Sequence, residues 1–300
     1  MINPIGPAVA LLLSAAVPPS HGASGAQEAA ETEIIEVATD RTERMTVPVL
    51  IGAAGPFRFL IDTGSESTVL STAVARQLSL APSGRARIVS LAGIKTVDTV
   101  EIAAFSLGRT SRYGLTAPLL ERANIGADGI VGIDGLQDQR VTIDFVQNLM
   151  AIDERRNIGS SKGYDIVVRA RRYAGQLIMT EAKINGVTTD VVIDTGAETS
   201  VGNRALQRIL ARRNELQPIV LHTVTGQTVI ADLVMARRLT IGNVYLENPV
   251  LAFVDSPVFR VLNLERRPAL LLGMREMRAF ERVAIDFPTR KVMFDLPRMR

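Results

Sequence analysis

One short stretch of this chain recurs, and it recurs together with its neighbours. Residues 59–71 read Phe-Leu-Ile-Asp-Thr-Gly-Ser-Glu-Ser-Thr-Val-Leu-Ser, and residues 191–202 read Val-Val-Ile-Asp-Thr-Gly-Ala-Glu-Thr-Ser-Val-Gly. The two aspartates, Asp62 and Asp194, stand 132 residues apart. An apolar-apolar-Gly follows in each copy, Ile130-Val131-Gly132 and Leu271-Leu272-Gly273. An Ile-Asp-Phe comes next, at Asp144 and again at Asp286, now 142 residues apart. The second copy therefore carries about ten additional residues between the matches. Matched elements in one order at similar spacing mark a duplication. The copies run from about 34 to 153 and from about 164 to 297, joined by a Gly-, Ser- and Asn-containing linker over 154–163.

Each copy reads mostly as strand. Ile34–Val37, Val47–Ile51 and Phe57–Ile61 are short β-branched or apolar runs bounded by Gly or Pro. Asn185-Gly186 joins two such runs and signals a hairpin. Residues 88–102 and 219–231 predict further hairpins, with Gly93 and Gly226 in their turns. Ala73–Leu80 and Arg204–Arg213 have helical composition and spacing. The fold class expected is all-β, two small units with short helices.

Each Asp-Thr-Gly lies where an apolar strand gives way to a loop. Glycine permits a tight turn and the close approach of another chain. Threonine offers a hydroxyl to backbone across an interface. Once is an ordinary turn sequence; twice, with partners in register, it brings two carboxylates together. Such carboxylates cannot both ionise cheaply, so they share a proton. Composition leaves room for little else. The chain has no cysteine and two histidines, which excludes thiol nucleophiles, disulfide frameworks and Cys-ligated metals. No cofactor and no metal is called for. A metal held between Asp62 and Asp194 is the weaker alternative, because two carboxylates alone make a poor site.

With these motifs the chain resembles the retropepsin-like aspartic proteases of bacteria, in a tandem single-chain form. The match is Ile61-Asp62-Thr63-Gly64-Ser65 with Ile130-Val131-Gly132, and Ile193-Asp194-Thr195-Gly196-Ala197 with Leu271-Leu272-Gly273. The resemblance implies two pepsin/retropepsin-like β-barrel domains related by pseudo-two-fold symmetry. It implies Asp62 and Asp194 as the catalytic pair, activating a water to hydrolyse a peptide bond. Thr63 and Thr195 would bridge the two loops, Gly64 and Gly196 would permit their approach, and the Gly93 and Gly226 hairpins would be flaps. Ser65 and Ala197 complete the loops. The Ser65 hydroxyl has two possible partners, the carboxylate, whose pKa it would lower, or local backbone. The partner expected is a polypeptide substrate, on a monomer whose halves form an intramolecular pseudo-dimer. A peptide-binding protein without cleavage is the alternative on the same fold.

Other acidic residues have blander readings. Asp144 and Asp286 are expected to bond to backbone at strand ends. Glu66 and Glu198 are expected to be exposed at helix starts. His222 is expected at the surface or hydrogen-bonded.

Residues 1–26 carry no charged side chain, and the apolar run Ile5–Val17 ends at Pro18-Pro19. That is the shape of a secretory signal, although no Lys or Arg precedes the run; a buried helix or a retained anchor is the alternative. The localisation expected is periplasmic or secreted, with no stable membrane span after cleavage. Gln27–Thr32 is short and acidic. The first 160 residues carry a net −4 and the rest +7, with no aromatic-rich basic stripe, so no nucleic-acid partner is expected.

Overall fold

The computed structural model describes residues 5–8, 10–13, 33–36, 38–39, 45–136, 138–154, 161–210 and 217–297. This part of the chain is mostly strand, and its helices have only four to seven residues. The all-β, two-domain reading holds.

Both repeats follow one path. Each opens on an antiparallel hairpin whose second strand runs into the Asp-Thr-Gly. Met45–Ile51 pairs with Ala54–Ile61 in the first repeat, and Gln176–Ile184 with Val187–Ile193 in the second. Asn185 and Gly186 turn the latter with φ of 49° and 85°, the left-handed pair that a two-residue hairpin needs. A short strand follows the loop, Val69–Ser71 or Ser200–Gly202, and then a helix. The first helix spans Thr72–Gln77, shorter than the expected range; the second is described over Arg204–Leu210, and 211–213 lie outside the described residues. Each starts at a small polar cap. Ser71 Oγ accepts from Val74 N–H at 3.2 Å, and Asn203 Oδ1 from Leu206 N–H at 2.9 Å.

The apolar-apolar-Gly strands are the keystones. Gly129–Val131 lies parallel to Phe59–Ile61 and antiparallel to Val69–Leu70. Ala269–Leu272 lies parallel to Asp190–Ile193 and antiparallel to Val201–Gly202. Central strands covered on both faces need continuous apolar runs, and these strands are buried throughout.

Two long hairpins stand on these strands. The first is Pro82–Ser90 with Gly93–Leu107, the second Gln217–Thr223 with Thr228–Met235. Both expected turns are in place. In the first repeat, Gly93–Leu107 pairs with the continuous strand Thr110–Leu120. In the second, the equivalent pair is broken into Thr228–Met235, Arg238–Ile241, Val244–Glu247 and Val250–Phe253. Much of the extra length of the second repeat falls between Phe253 and Ala269, where helix Pro257–Val261 sits.

A six-stranded sheet joins the repeats, in the order Ile166–Arg169, Lys291–Asp295, Arg282–Asp286, Gln139–Asp144, Leu149–Glu154, Glu33–Glu36. At its centre the two Ile-Asp-Phe strands pair antiparallel, Arg140 opposite Asp286 and Asp144 opposite Arg282. Arg140 donates to Asp286 through Nε at 3.1 Å and Nη2 at 2.7 Å, both side chains buried. The repeated aspartates also act on backbone, as expected. Asp144 accepts from Val146 and Gln147 N–H, and Asp286 from Thr289 N–H. One apolar cluster runs through both repeats and this sheet, from Phe59 and Phe105 to Ile285 and Phe294.

Of the uncharged leader, Ile5–Ala8 and Ala10–Leu13 are described, as strands rather than a helix. Ile5–Ala8 lies parallel to Leu221–Thr223, and Ala10–Leu13 antiparallel to Arg87–Ser90. The rest of the expected signal, Gln27–Thr32 and residues 155–160 of the linker lie outside the described residues.

Candidate active site

The strands that end at Asp62 and Asp194 deliver their loops to one point between the repeats. The backbone N–H of Asp62 donates to Val131 O at 3.0 Å, and that of Asp194 to Leu272 O at 3.0 Å. Each aspartate is thus held by the apolar-apolar-Gly strand of its own repeat. Gly132 and Gly273 follow. A Cβ on Gly132 would overlap the Ser67 backbone, and one on Gly273 would lie 2.8 Å from the Thr199 carbonyl carbon.

The threonines cross between repeats. Thr63 Oγ1 donates to Ile193 O at 2.9 Å, and Thr195 Oγ1 donates to Ile61 O at 2.8 Å. In return, Thr63 N–H donates to Thr195 Oγ1 at 3.0 Å and Thr195 N–H to Thr63 Oγ1 at 3.3 Å. All four are buried, and each hydroxyl serves as donor and acceptor at once. A buried hydrogen bond contributes about 1 kcal/mol net, but orphaning its partner costs about 1–3 kcal/mol, so this lattice fixes the loops strongly.

The carboxylates face one another through glycine. Gly64 N–H donates to Asp62 Oδ1 at 2.8 Å and Gly196 N–H to Asp194 Oδ1 at 3.2 Å. Asp62 is 2% exposed and Asp194 0%. The Oδ2 atom of Asp194 is buried with no hydrogen-bond partner among the described residues. Burial first, and then the neighbouring Asp62 charge, raises the Asp194 carboxyl well above the usual carboxylate range.

The Ser65 hydroxyl takes the local alternative. It donates to Ser67 O at 2.8 Å, so it braces its own loop rather than the carboxylate. Ala197, buried at the matching position, has no hydroxyl to offer. Glu66 and Glu198 are not at helix starts, contrary to expectation. They sit in the loops before the short strands, both half-buried. Glu198 accepts from Arg275 Nη2 at 3.3 Å, whereas burial raises the Glu66 carboxyl to about 7. His222 is exposed on the outer strand of the second hairpin.

Two carboxylates missed by sequence reasoning support the loops. Thr68 donates to Asp134 through its backbone N–H at 2.9 Å and through its hydroxyl at 2.7 Å, and Ser200 Oγ donates to Glu276. The same two hydroxyls accept from Gly132 and Gly273 N–H, at 3.3 and 2.9 Å. The legible signal was the hydroxyl six residues after each aspartate, Thr68 and Ser200. The acids follow their glycines by unequal distances, two and three residues, which hid them.

The two long hairpins meet at their tips. Lys95 Nζ donates to Thr225 O at 2.7 Å, and Thr225 Oγ1 donates to Ser90 Oγ at 3.3 Å. Gly226, with φ of 80°, packs so tightly that a Cβ would lie 2.6 Å from Asn124 Nδ2. Gly93 is in extended-to-left-handed backbone at φ 149° with more room. The tips exchange apolar anchors. Leu91 and Val89 of the first hairpin join Val192, Val201, Phe259 and Leu262 of the second repeat. Val224 of the second hairpin joins Leu60, Val69 and Ile130 of the first. Leu60 and Val192 lie on the strands that carry the aspartates, so the hairpins cover the elements that build the pair. The extra residues of the second repeat supply Phe259 and Leu262, which seat the first tip.

Among the described residues no group of three or more His, Cys, Asp or Glu is placed to hold a metal. A surface cleft of about 790 Å³, lined by Asn185, Arg237, Arg238 and Glu247, lies away from the paired aspartates.

A duplicated β-unit, two buried Asp-Thr-Gly loops locked across a pseudo-two-fold axis, and hairpins above them define the aspartic-protease class of fold. The chain belongs to the aspartyl protease family, whose model matches residues 47–134 and 180–275. Those segments hold both Asp-Thr-Gly motifs and both apolar-apolar-Gly strands. No curated protein matches the chain.

Proposed function

We propose that this chain is an aspartic endopeptidase in which Asp62 and Asp194 activate a water for attack on a peptide carbonyl. The observation that carries the reading is the pair of buried aspartates brought together by the crossed threonine hydrogen bonds, with Asp194 Oδ2 unpartnered among the described residues. In this scheme the ionised member of the pair accepts a proton from the attacking water while the protonated member hydrogen-bonds the carbonyl oxygen. The tetrahedral intermediate then collapses as a proton passes to the leaving amine. Both carboxyls return to one shared proton. Thr63 and Thr195 hold the loops, Gly64 and Gly196 let them meet, and the Gly93 and Gly226 hairpins act as flaps. The family supports a polypeptide substrate, and one chain supplies both halves of the site, which makes a monomer sufficient.

We place the protein outside the cytoplasm, on the strength of its uncharged leader. Among the described residues no helix is long and apolar enough to cross a membrane.

The test is cleavage of a peptide library by the purified protein, by Asp62→Asn and by Asp194→Asn, each with and without chelator. Cleavage by the parent alone, indifferent to chelator, is expected. Cleavage surviving either substitution removes the pair from the mechanism, and loss on chelation favours a metal. Tight binding with no cleavage favours the peptide-binding alternative.

A further inference from the structure

The peptide unit between Val131 and Gly132 is bonded at both ends. Its carbonyl accepts from the backbone N–H of Asp62 at 3.0 Å, and its N–H donates to Thr68 Oγ1 at 3.3 Å. That hydroxyl has one proton, which goes to Asp134 Oδ1 at 2.7 Å. The second repeat draws the same line. Asp194 N–H donates to Leu272 O at 3.0 Å, and Gly273 N–H donates to Ser200 Oγ at 2.9 Å. Ser200 Oγ in turn donates to Glu276 Oε2. The backbone of each paired aspartate is therefore one end of a relay whose other end is a second acid. Its direction is forced. An N–H only donates and an ionised carboxylate only accepts, so the hydroxyl between them must pass the bond along.

We infer that Asp134 and Glu276 are positioning residues for the reaction, each setting the backbone of the aspartate in its own repeat through one hydroxyl and one peptide unit. This deepens the proposed function and rests on it for the word reaction. Thr68 and Ser200 are both fully buried, so water does not compete for their hydroxyls. Hydrogen bonds in such surroundings are stronger and polarise one another along a chain. A carboxylate at the end gives the strongest acceptor a side chain can offer, and tightens the bonds behind it. The two repeats also build the same bond from different places. Asp134 comes two residues after Gly132, whereas Glu276, one methylene longer, comes three after Gly273. At the position matching Asp134 the second repeat has Arg275, which turns to Glu198 instead. The acid has changed its place and length, and the bond to the hydroxyl is kept. Packing alone asks for no such match; a requirement on the hydroxyl does.

The experiment compares the full chain with Thr68→Val, Thr68→Ser, Asp134→Asn and Glu276→Gln, by steady-state kinetics on a cleaved peptide and by amide NMR. Thr68→Val should lower kcat about tenfold or more with KM held to within about twofold, because the carboxyls are misplaced while the peptide still binds. Thr68→Ser, which keeps the hydroxyl, should recover most of that loss. Asp134 also accepts from Thr68 N–H at 2.9 Å and Gly135 N–H at 2.8 Å, and Asn keeps an oxygen for these donors while removing the charge. Asp134→Asn is expected to move the amide protons of Gly132 and Asp62 upfield, as their hydrogen bonds weaken, and to leave those of Gly273 and Asp194 in place. Glu276→Gln should do the opposite. These two variants carry the test if Thr68→Val does not fold. Parent kcat in a folded Thr68→Val, a loss confined to KM, or unmoved Gly132 and Asp62 amides in Asp134→Asn overturns the inference. The amide shifts need no hydrolysis. Shifts without cleavage of any peptide leave the relay in place and remove the protease reading, and cleavage with unmoved amides does the reverse.

Discussion

Gly64 stands directly against Asp194: a Cβ built on this glycine would lie 2.7 Å from Asp194 Oδ1 and 2.8 Å from its carboxyl carbon. Gly196 faces Asp62 in the same fashion, and more tightly. Gly64→Ala must therefore push the carboxyls apart by a good fraction of an ångström. Misplacement on that scale costs about 100-fold in rate. We expect kcat/KM to fall by about that factor or more for Gly64→Ala and for Gly196→Ala. Steady-state kinetics on any cleaved peptide checks this, and wild-type rates in either variant would contradict the close approach.

The threonine lattice predicts a split between two conservative changes. Thr195→Ser keeps the hydroxyl that serves Ile61 O and Thr63 N–H, whereas Thr195→Val leaves both without it. Valine should lower unfolding free energy by about 2–4 kcal/mol, two orphaned backbone groups' worth, and serine by less than about 1 kcal/mol. Urea denaturation of both variants measures the difference.

Asp194 makes stability depend on pH in a definite direction. Its folded pKa is raised above 3.8, so the folded state holds this proton more firmly than the unfolded chain. The resulting stability is complete below 3.8 and is lost as pH rises toward the raised value. Asp194→Asn is neutral throughout and lacks this loss. Its Tm should exceed that of wild type increasingly as pH rises above about 4. The same shift carries the alkaline limb of hydrolysis well above the ordinary carboxylate range. Thermal melts and a pH–rate profile test the two halves of this prediction.

Glu66 gives a narrower window. Its carboxyl moves from 4.5 to about 7, so its stabilising protonation is complete below 4.5 and lost by about 7. The side chain is half-buried, and solvent screening reduces the effect to about 1 kcal/mol. Glu66→Gln should match wild type at about pH 4 and be more stable by about that amount at pH 8. Equal stability at both pH values would show that water relieves the burial.

Leu91 is 1% exposed although it sits at a hairpin tip, because its seat belongs to the other repeat. Leu91→Ala should free the first hairpin. We expect about 2–3 kcal/mol of lost stability and faster proteolysis within Pro82–Leu107. Limited proteolysis followed by mass mapping locates the cuts; cuts confined to other loops would mean that the tip is held by its strands alone.

Much of this was legible because duplication prints the same constraint twice. The Asp-Thr-Gly loops, both hairpin turns and the backbone-bonding Asp144 and Asp286 follow from local residues whose chemistry admits few alternatives. The Ser65 bond goes to Ser67 O, one of two acceptors between which the sequence does not choose. Glu66 and Glu198 were read as helix-start acids because the strands Val69–Ser71 and Ser200–Gly202 are only three residues long. Asp134 and Glu276 escaped because they meet Thr68 and Ser200 across 66 and 76 residues. The exchange of Leu91 and Val224 between repeats was invisible for the same reason, since no periodicity records which repeat supplies a seat.

The shared sheet holds the two repeats together by itself. Residues 139–144 and 282–286 are zipped edge to edge, with Arg140 clamped on Asp286 at the seam. Strand pairing at this seam therefore joins the repeats a second time, besides the threonine bonds between the loops. Made as two separate polypeptides, the halves should re-zip along this seam, a heterodimer written in one reading frame.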